Sequence, residues 1–174
     1  MHSLITGITG TGKSTFGKIL ACQYKQAGKN VLVLDPFYKD GDTTNAGWDC
    51  DFITADPQQF LQIVFANKNC VIFIDESGQV IGRWGGVMNN IATQGRHNGH
   101  KIYFITQRPK QIDINSRTQC TRLFTFRLSL DDAKMLAREF ADPLLENACE
   151  LNIGEFICYT GIGKTTVSRI FPRS

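Results

Sequence analysis

The sequence predicts a three-layer α/β domain with a central, mainly parallel β-sheet and a C-terminal β-hairpin, and three observations predict it. Continuous apolar tetrapeptides such as Val31-Leu32-Val33-Leu34 and Val71-Ile72-Phe73-Ile74 lack the alternation of a half-exposed strand, so they read as strands buried on both faces. Segments of helical periodicity separate them, as crossovers between parallel strands require. Near the C-terminus Gly161-Ile162-Gly163 instead joins two short strand-like runs directly, which is a hairpin pattern.

The elements follow in order. Leu4-Ile5-Thr6 is a short strand that halts at glycines, and after Lys13 the residues Phe16, Ile19, Leu20 and Tyr24 recur at helical spacing up to Gly28. Val31 to Leu34 is a strand ending at Asp35-Pro36. Tyr38 to Asp51 is irregular, broken by glycines and carrying four aspartates. Gln59 to Phe65 reads as a helix opened by Asp56-Pro57, and Val71 to Ile74 is the next buried strand. A weak helical segment near Val87 to Thr93 precedes the strand Ile102 to Ile105, and a polar connection through Ser116 precedes the strand Leu123 to Phe126. Asp131 to Phe140 is an amphipathic helix capped by Ser129 or Asp131, and Phe156 to Tyr159 and Thr166 to Ile170 form the hairpin.

A chain of 174 residues with 42% apolar and 20% charged residues fits one domain, 1–174, with one core. A net charge of +3 permits a polyanionic partner but is far from a dedicated nucleic-acid-binding tail. The six cysteines, Cys22, Cys50, Cys70, Cys120, Cys149 and Cys158, form no Cys-x-x-Cys pair and read as reduced core thiols of a cytosolic protein. With a glycine-rich loop starting at Gly7 and only strand-sized apolar runs, neither a signal peptide nor a membrane span is expected.

That loop, Gly7-Ile8-Thr9-Gly10-Thr11-Gly12-Lys13-Ser14, fits the Walker A spacing between a strand and a helix. Backbone N–H groups from Thr9, Gly10, Thr11, Gly12, Lys13, Ser14 and Thr15, at a helix N-terminus, would cradle the phosphates of ATP. Lys13 would reach the β- and γ-phosphates and the Ser14 hydroxyl would ligate Mg²⁺. Gly161-Ile162-Gly163-Lys164-Thr165 is similar, but Cys158 stands where the first glycine belongs, so it reads as a hairpin turn. Val71-Ile72-Phe73-Ile74-Asp75-Glu76 is a Walker B arrangement: Asp75 would hold the metal through water and Glu76 would orient and deprotonate the attacking water. Gln107, at the tip of the strand that begins at Ile102, would sense the γ-phosphate if that strand lay between the Walker A and Walker B strands.

Three blocks, the phosphate loop, Ile74-Asp75-Glu76, and Gly95-Arg96-His97-Asn98-Gly99 leading into Phe104-Ile105-Thr106-Gln107-Arg108-Pro109, resemble the FtsK/HerA superfamily of ring-forming DNA-pumping ATPases. The sequence is most similar to the genome-packaging ATPases of tailless, internal-membrane bacteriophages, over roughly Met1 to Phe140. The resemblance implies a three-layer P-loop NTPase fold of the additional-strand, catalytic-glutamate type. It further implies a homo-oligomeric ring, hexameric in that superfamily, that moves duplex DNA, contacts its backbone without reading sequence, and meets a capsid vertex or virion membrane protein. Such a motor would work in the host cytoplasm or at a packaging vertex. Arginines from a neighbouring subunit complete such sites, and Arg117, then Arg96, then Arg83 are the candidates; Arg108 is expected to anchor its turn with Pro109. Lys39 and Arg83-Trp84 lie in the stretches best suited to face DNA in the pore.

Three other readings stay open. A small-molecule kinase would use Asp35 to position an acceptor, but has no need of Glu76. A filamentous-phage assembly ATPase of the zonula occludens toxin type shares the Arg-His-x-Gly and Thr-Gln pattern but carries a membrane span. A nucleotide-gated scaffold would bind ATP and barely hydrolyse it.

Overall fold

The computed structural model describes residues 2–78 and 86–171. Its eight strands are β1 (His2–Thr6), β2 (Val31–Leu34), β3 (Phe52–Thr54), β4 (Val71–Ile74), β5 (Lys101–Thr106), β6 (Cys120–Thr125), β7 (Glu155–Tyr159) and β8 (Thr165–Arg169). They form one sheet in the order β3-β2-β4-β5-β1-β6-β7-β8. Pairing is parallel from β3 through β6 and antiparallel for β6-β7 and β7-β8. The described helices are α1 (Lys13–Gln26), α2 (Pro57–Ala66), α3 (Gly86–His97), α4 (Ile114–Thr118) and α5 (Leu130–Glu139), with a 3₁₀ segment at Pro143–Glu150.

The period of two explains why β2 and β4 are apolar throughout. Leu4, Leu32, Leu34, Ile72, Ile74, Ile102 and Phe104 face one core with Phe60 and Val64 of α2, Ile91 of α3 and Leu136 of α5. Their neighbours Ile5, Val31, Val33, Phe73, Tyr103 and Ile105 face a second core under Phe16 and Ala21 of α1. With helices on both sides, both faces of the central strands are buried, and even the polar residues they carry, such as His2, Ser3, Thr6 and Thr106, are out of solvent.

On the α1 side the covering is thin, and two features close it. Gly17 brings the helix down on the sheet: a Cβ there would lie 2.7 Å from Ile105 Cδ1 and 3.1 Å from Trp48 Cη2. Trp48, from the irregular stretch after β2, is 3% exposed and packs its ring 5.5 Å from that of Phe73, which stacks on Tyr103 at 4.8 Å. The aspartates of that stretch hold its backbone. Asp35 accepts from Phe37 N and Trp48 Nε1, Asp42 from Thr44 N and Ala46 N, and Asp51 from Val31 N.

Two buried histidines fasten helices to the sheet on the other side. His2 Nε2 bonds Ala92 O of α3 while its Nδ1 accepts from Ile102 N, and His100 Nε2 bonds Val64 O of α2 while its Nδ1 accepts from Cys70 N. Each ring therefore acts as one donor and one acceptor, the neutral imidazole, and burial lowers both pKa values accordingly.

The sequence reading missed β3, α4 and the 3₁₀ segment, α4 forming where a polar connection through Ser116 was expected, and it understated α3. Ser129 is the cap of α5, accepting from Asp132 N, and Asp56 caps α2 ahead of Pro57. Of the six free cysteines, Cys70 and Cys120 are buried and the other four are half-buried, so only two are core thiols. No described helix is long and apolar enough to cross a membrane.

The Gly17 contact yields a test. Gly17→Val adds a branched Cβ where Ile105 and Trp48 leave no room, and overpacking of this kind costs about 1–3 kcal/mol. Thermal melting of the variant should show a clear loss of Tm; an unchanged Tm would mean that α1 does not sit against Ile105 and Trp48 as described.

Candidate active site

The glycine-rich loop leaves the sheet where β1 is flanked by the ends of β5 and β6. Gly7 N donates to Thr106 O, Ile8 N to Arg127 O, and Phe126 N to Thr6 O. A Cβ on Gly7 would meet Phe126 Cβ at 2.6 Å, so only glycine can pass between the strand ends. Gly12 has φ +107, a conformation that favours glycine, and a Cβ there would also displace Ile170 Cδ1, which lies 2.6 Å from that position. The loop is braced internally by Thr11 Oγ1, which donates to Ile8 O at 2.8 Å.

Lys13, the first residue of α1, is 6% exposed and donates from Nζ to Ile8 O at 3.0 Å. Burial lowers its pKa, and the carboxylates of Glu76 and Asp75 oppose that shift. The ammonium thus lies folded onto the loop that it would leave to reach a phosphate. Asp75, at the end of β4, is 5% exposed; its Oδ1 accepts from Glu76 N at 2.9 Å, and the nearby Ser14 hydroxyl favours its charged form. Burial, reinforced by the charges of Asp35 and Glu76, pushes its pKa up to about 6.

Mg²⁺ takes oxygen ligands, keeps several waters, and needs only one or two protein groups beside substrate phosphates. Ser14 and Asp75 already converge, and Asp75 is a buried carboxylate whose charge a dication would compensate, so the residues present fit the ion. Bound there, it would neutralise charge on the β- and γ-phosphates.

Glu76 has φ +45, a left-handed conformation that costs a non-glycine residue about 1–2 kcal/mol. The surrounding bonds impose it: Asp75 N donates to Leu34 O, and Ser77 Oγ donates to Ile105 O at 2.8 Å. The turn directs the Glu76 carboxylate at Gln107, whose Nε2 lies 3.1 and 3.3 Å from its two oxygens. β5 pairs with both β1 and β4, so Gln107 emerges between the Walker A and Walker B strands as expected. Glu76 also lines a cleft of about 450 Å³ with Thr9, Gly10 and Gly12 to Thr15 of the loop.

The arginines fall differently. Arg117 is 6% exposed; it pairs with Glu139 and donates to Pro109 O and Ile112 O at 3.0 and 2.7 Å. A guanidinium committed in this way is not presented to a neighbouring subunit, which corrects the expectation placed on it. Arg96 is exposed at the C-terminal end of α3, beside His2, Gln119 and Thr121 at the N-terminal ends of β1 and β6. Arg108 pairs with Asp132, as does Lys110. Lys39 is exposed on a stretch whose other charges are acidic. Arg83 and Trp84 lie outside the described residues.

Sequence reasoning missed the far wall of the cleft, made by Ile153, Gly154, Ile170 and Phe171 at the base of the β7-β8 hairpin. Isolated apolar residues at a turn carry no signature of a site. The Gly161-Ile162-Gly163 segment is the hairpin turn, closed by Lys164 N donating to Gly161 O and Thr160 N to Lys164 O.

Fold and site together define a P-loop nucleotide triphosphatase fold of the additional-strand, catalytic-glutamate type, and the resemblance to FtsK/HerA-superfamily ATPases extends through it. The family described as the central domain of helicase HerA matches residues 1–40, the stretch from β1 through α1 to β2. Protein P9 of Pseudoalteromonas phage PM2 is 28% identical over 166 residues, 83% of this chain and 75% of P9. The DNA-packaging ATPase B204 from Sulfolobus turreted icosahedral virus superposes with a TM-score of 0.79 over 98% of each chain at 14% identity. VirB4 of Thermoanaerobacter pseudethanolicus does so with a TM-score of 0.70 over 99% of this chain and 89% of its own, at 10% identity.

Two outcomes follow from this geometry. A carboxyl whose pKa rises from about 3.8 unfolded to about 6 folded opposes folding once ionised: the penalty is absent below pH 4, grows between pH 4 and 6, and is full above. Asp75→Asn should therefore raise the stability of nucleotide-free protein by about 1–3 kcal/mol at pH 7.5 and leave it unchanged near pH 4. Denaturant melts at the two pH values check this, and equal effects at both would refute the assignment. Arg117→Ala leaves Glu139 and two carbonyls without partners and should cost about 3 kcal/mol, whereas Arg96→Ala should leave Tm within a degree or two; a reversal in thermal melts would exchange their roles.

Proposed function

We propose that this chain is an ATP-hydrolysing motor that translocates double-stranded DNA and packages a viral genome into a preformed capsid. The observation that carries the hydrolytic part is the Glu76–Gln107 pair facing the phosphate loop. A carboxylate base within reach of the γ-phosphate takes the proton of the nucleophile beside it, and water is the nucleophile where no side chain is turned to hold an acceptor. Asp35, the residue a kinase would turn toward an acceptor, is 4% exposed and spends both oxygens on Phe37 N and Trp48 Nε1. The fold shared with the DNA-packaging ATPase B204 supports the packaging part.

In the proposed cycle, phosphates displace the Lys13 ammonium from Ile8 O and bind the loop amides, with Mg²⁺ held by Ser14 and Asp75. Gln107 ties both oxygens of Glu76 before nucleotide arrives; its transfer to the γ-phosphate frees the carboxylate to accept the proton of the attacking water. Hydrolysis is then limited by charge neutralisation on the phosphoryl group, which an arginine from a neighbour supplies.

Arg96 fits that role. It stands at the N-terminal ends of β1 and β6, while the phosphate loop leaves the C-terminal end of β1, about 15 Å away along the strand. Within one chain it cannot meet the nucleotide, so it acts in trans through a head-to-tail interface, the kind that closes into a ring. For the polyanion, exposed Lys29, Lys68 and Arg122 stand at the N-terminal ends of β2, β4 and β6, where they would meet backbone phosphates without reading bases. A motor of this kind acts in the host cytoplasm at the packaging vertex.

ATP turnover at micromolar protein, with and without duplex DNA, tests the proposal. DNA should stimulate turnover, and Glu76→Gln should abolish it while ATP still binds. Arg96→Ala should lose about 10³-fold, and mixing it with Glu76→Gln subunits should restore part of the activity, because each supplies what the other lacks. Turnover indifferent to DNA and to Glu76→Gln, but raised by a small hydroxylated acceptor, would instead establish the kinase.

A further inference from the structure

The cleft has two chemically different ends, and only one of them is accounted for by phosphate chemistry. At the loop end lie Lys13, Ser14 and Glu76; at the other lie Ile153, Gly154, Ile170 and Phe171, none with a polar side chain. Ile153 and Phe171 are 71% and 65% exposed and line the cleft together with Ile170, so they offer one accessible apolar surface beside a phosphate-binding loop. The wall is built onto the loop: Gly154 N donates to Thr11 O at 3.0 Å, Ile170 N donates to Gly154 O at 2.9 Å, and Ile170 Cδ1 occupies the space that a Cβ on Gly12 would need.

We infer that Phe171, with Ile153 and Ile170, forms the nucleobase platform of this site, and that the platform takes the base by stacking without reading its hydrogen-bonding edge. This rests on the nucleotide-binding reading above. A ligand with a polyanionic tail and a flat aromatic head matches the two ends in order. Edge recognition would require donors or acceptors at the apolar end, and among the described residues that line it none offers a side-chain group. The N–H and C=O of Gly154 are both committed within the chain. An end without side-chain donors or acceptors is not built for the 10⁴–10⁵-fold rejection that hydrogen-bonded recognition achieves. Selection therefore follows stacking area: purines above pyrimidines, with adenine and guanine nearly equal.

Equilibrium binding of ATP, GTP, CTP and inorganic tripolyphosphate, each with Mg²⁺, to the whole chain tests this. The wild type should hold ATP and GTP within about fivefold of each other and CTP more weakly. Phe171→Ala should weaken ATP and GTP about tenfold, in the range of lost base–aromatic stacking, and leave tripolyphosphate unchanged. Ile153→Ser should do the same to a smaller extent, and the tripolyphosphate arm reports that each variant keeps its loop folded. If tripolyphosphate binds normally and neither variant loses ATP, the platform is refuted while the phosphate site stands. A preference for ATP over GTP above a hundredfold refutes stacking-only selection. If the wild type binds neither ATP nor tripolyphosphate, the nucleotide reading falls and the platform with it.

Discussion

The insertion of β5 between β1 and β4 is the constraint on which the site depends. Parallel pairing on both sides fixes its register, with Thr106 opposite Thr6 and Phe104 opposite Ile74, so the end of β5 emerges between the phosphate loop and the Asp75-Glu76 turn. Had β4 paired with β1 directly, Glu76 would adjoin the loop with nothing to hold its carboxylate. With β5 interposed, Ser77 is bonded to Ile105 O and Glu76 to Gln107, so one strand both positions the base and restrains it. In the function proposed above, a base restrained in this way would leave an empty site unproductive and would tie proton acceptance to the arrival of a γ-phosphate.

The local costs of the site converge on the same few residues. Glu76 adopts positive φ, the Asp75 carboxyl is raised by burial, and the Lys13 ammonium is buried against a single carbonyl. Each opposes folding of the empty protein, and a nucleotide and dication would bring opposite charge to the two buried ionisable groups. The rest of the sheet can sustain this because its central strands are buried on both faces and the aspartates of the stretch after β2 hold that stretch's own backbone. That stretch was readable as irregular and acidic. It was not readable as the part of the core that holds Trp48, because the bond from Trp48 Nε1 to Asp35 spans thirteen residues without periodicity.

The same distinction separates what the sequence disclosed from what it withheld. The phosphate loop and the Asp75-Glu76 pair were legible because their chemistry demands particular residue types at fixed local spacing. Strands β2, β4 and β5 were legible because burial on both faces leaves them uniformly apolar. β3, three residues paired on one side only, was too short to show a pattern. Arg117 was misread because its partner, Glu139, lies 22 residues away on another helix, and no local feature distinguishes a guanidinium that will be buried from one that will be offered to a neighbour. The apolar wall of Ile153, Ile170 and Phe171 left no trace for a related reason: it is assembled from two ends of a hairpin.

That hairpin has a geometric logic. A further parallel strand beside β6 would start at the edge remote from the phosphate loop and would need a helical crossover to get there. Reversing direction at β7 and again at β8 brings both the start of β7 and the end of β8 to the edge where the parallel strands terminate, which is where ligands of open α/β sheets bind. Gly154 and Ile170 are therefore hydrogen-bonded to each other and, through Thr11, to the phosphate loop. These bonds make the base of the hairpin and the phosphate loop one hydrogen-bonded unit. The hairpin's turn at Gly161 to Gly163 lies at the opposite edge of the sheet, the edge where Arg96 stands, so the antiparallel pair spans the molecule from the nucleotide to the surface that a neighbouring subunit would read.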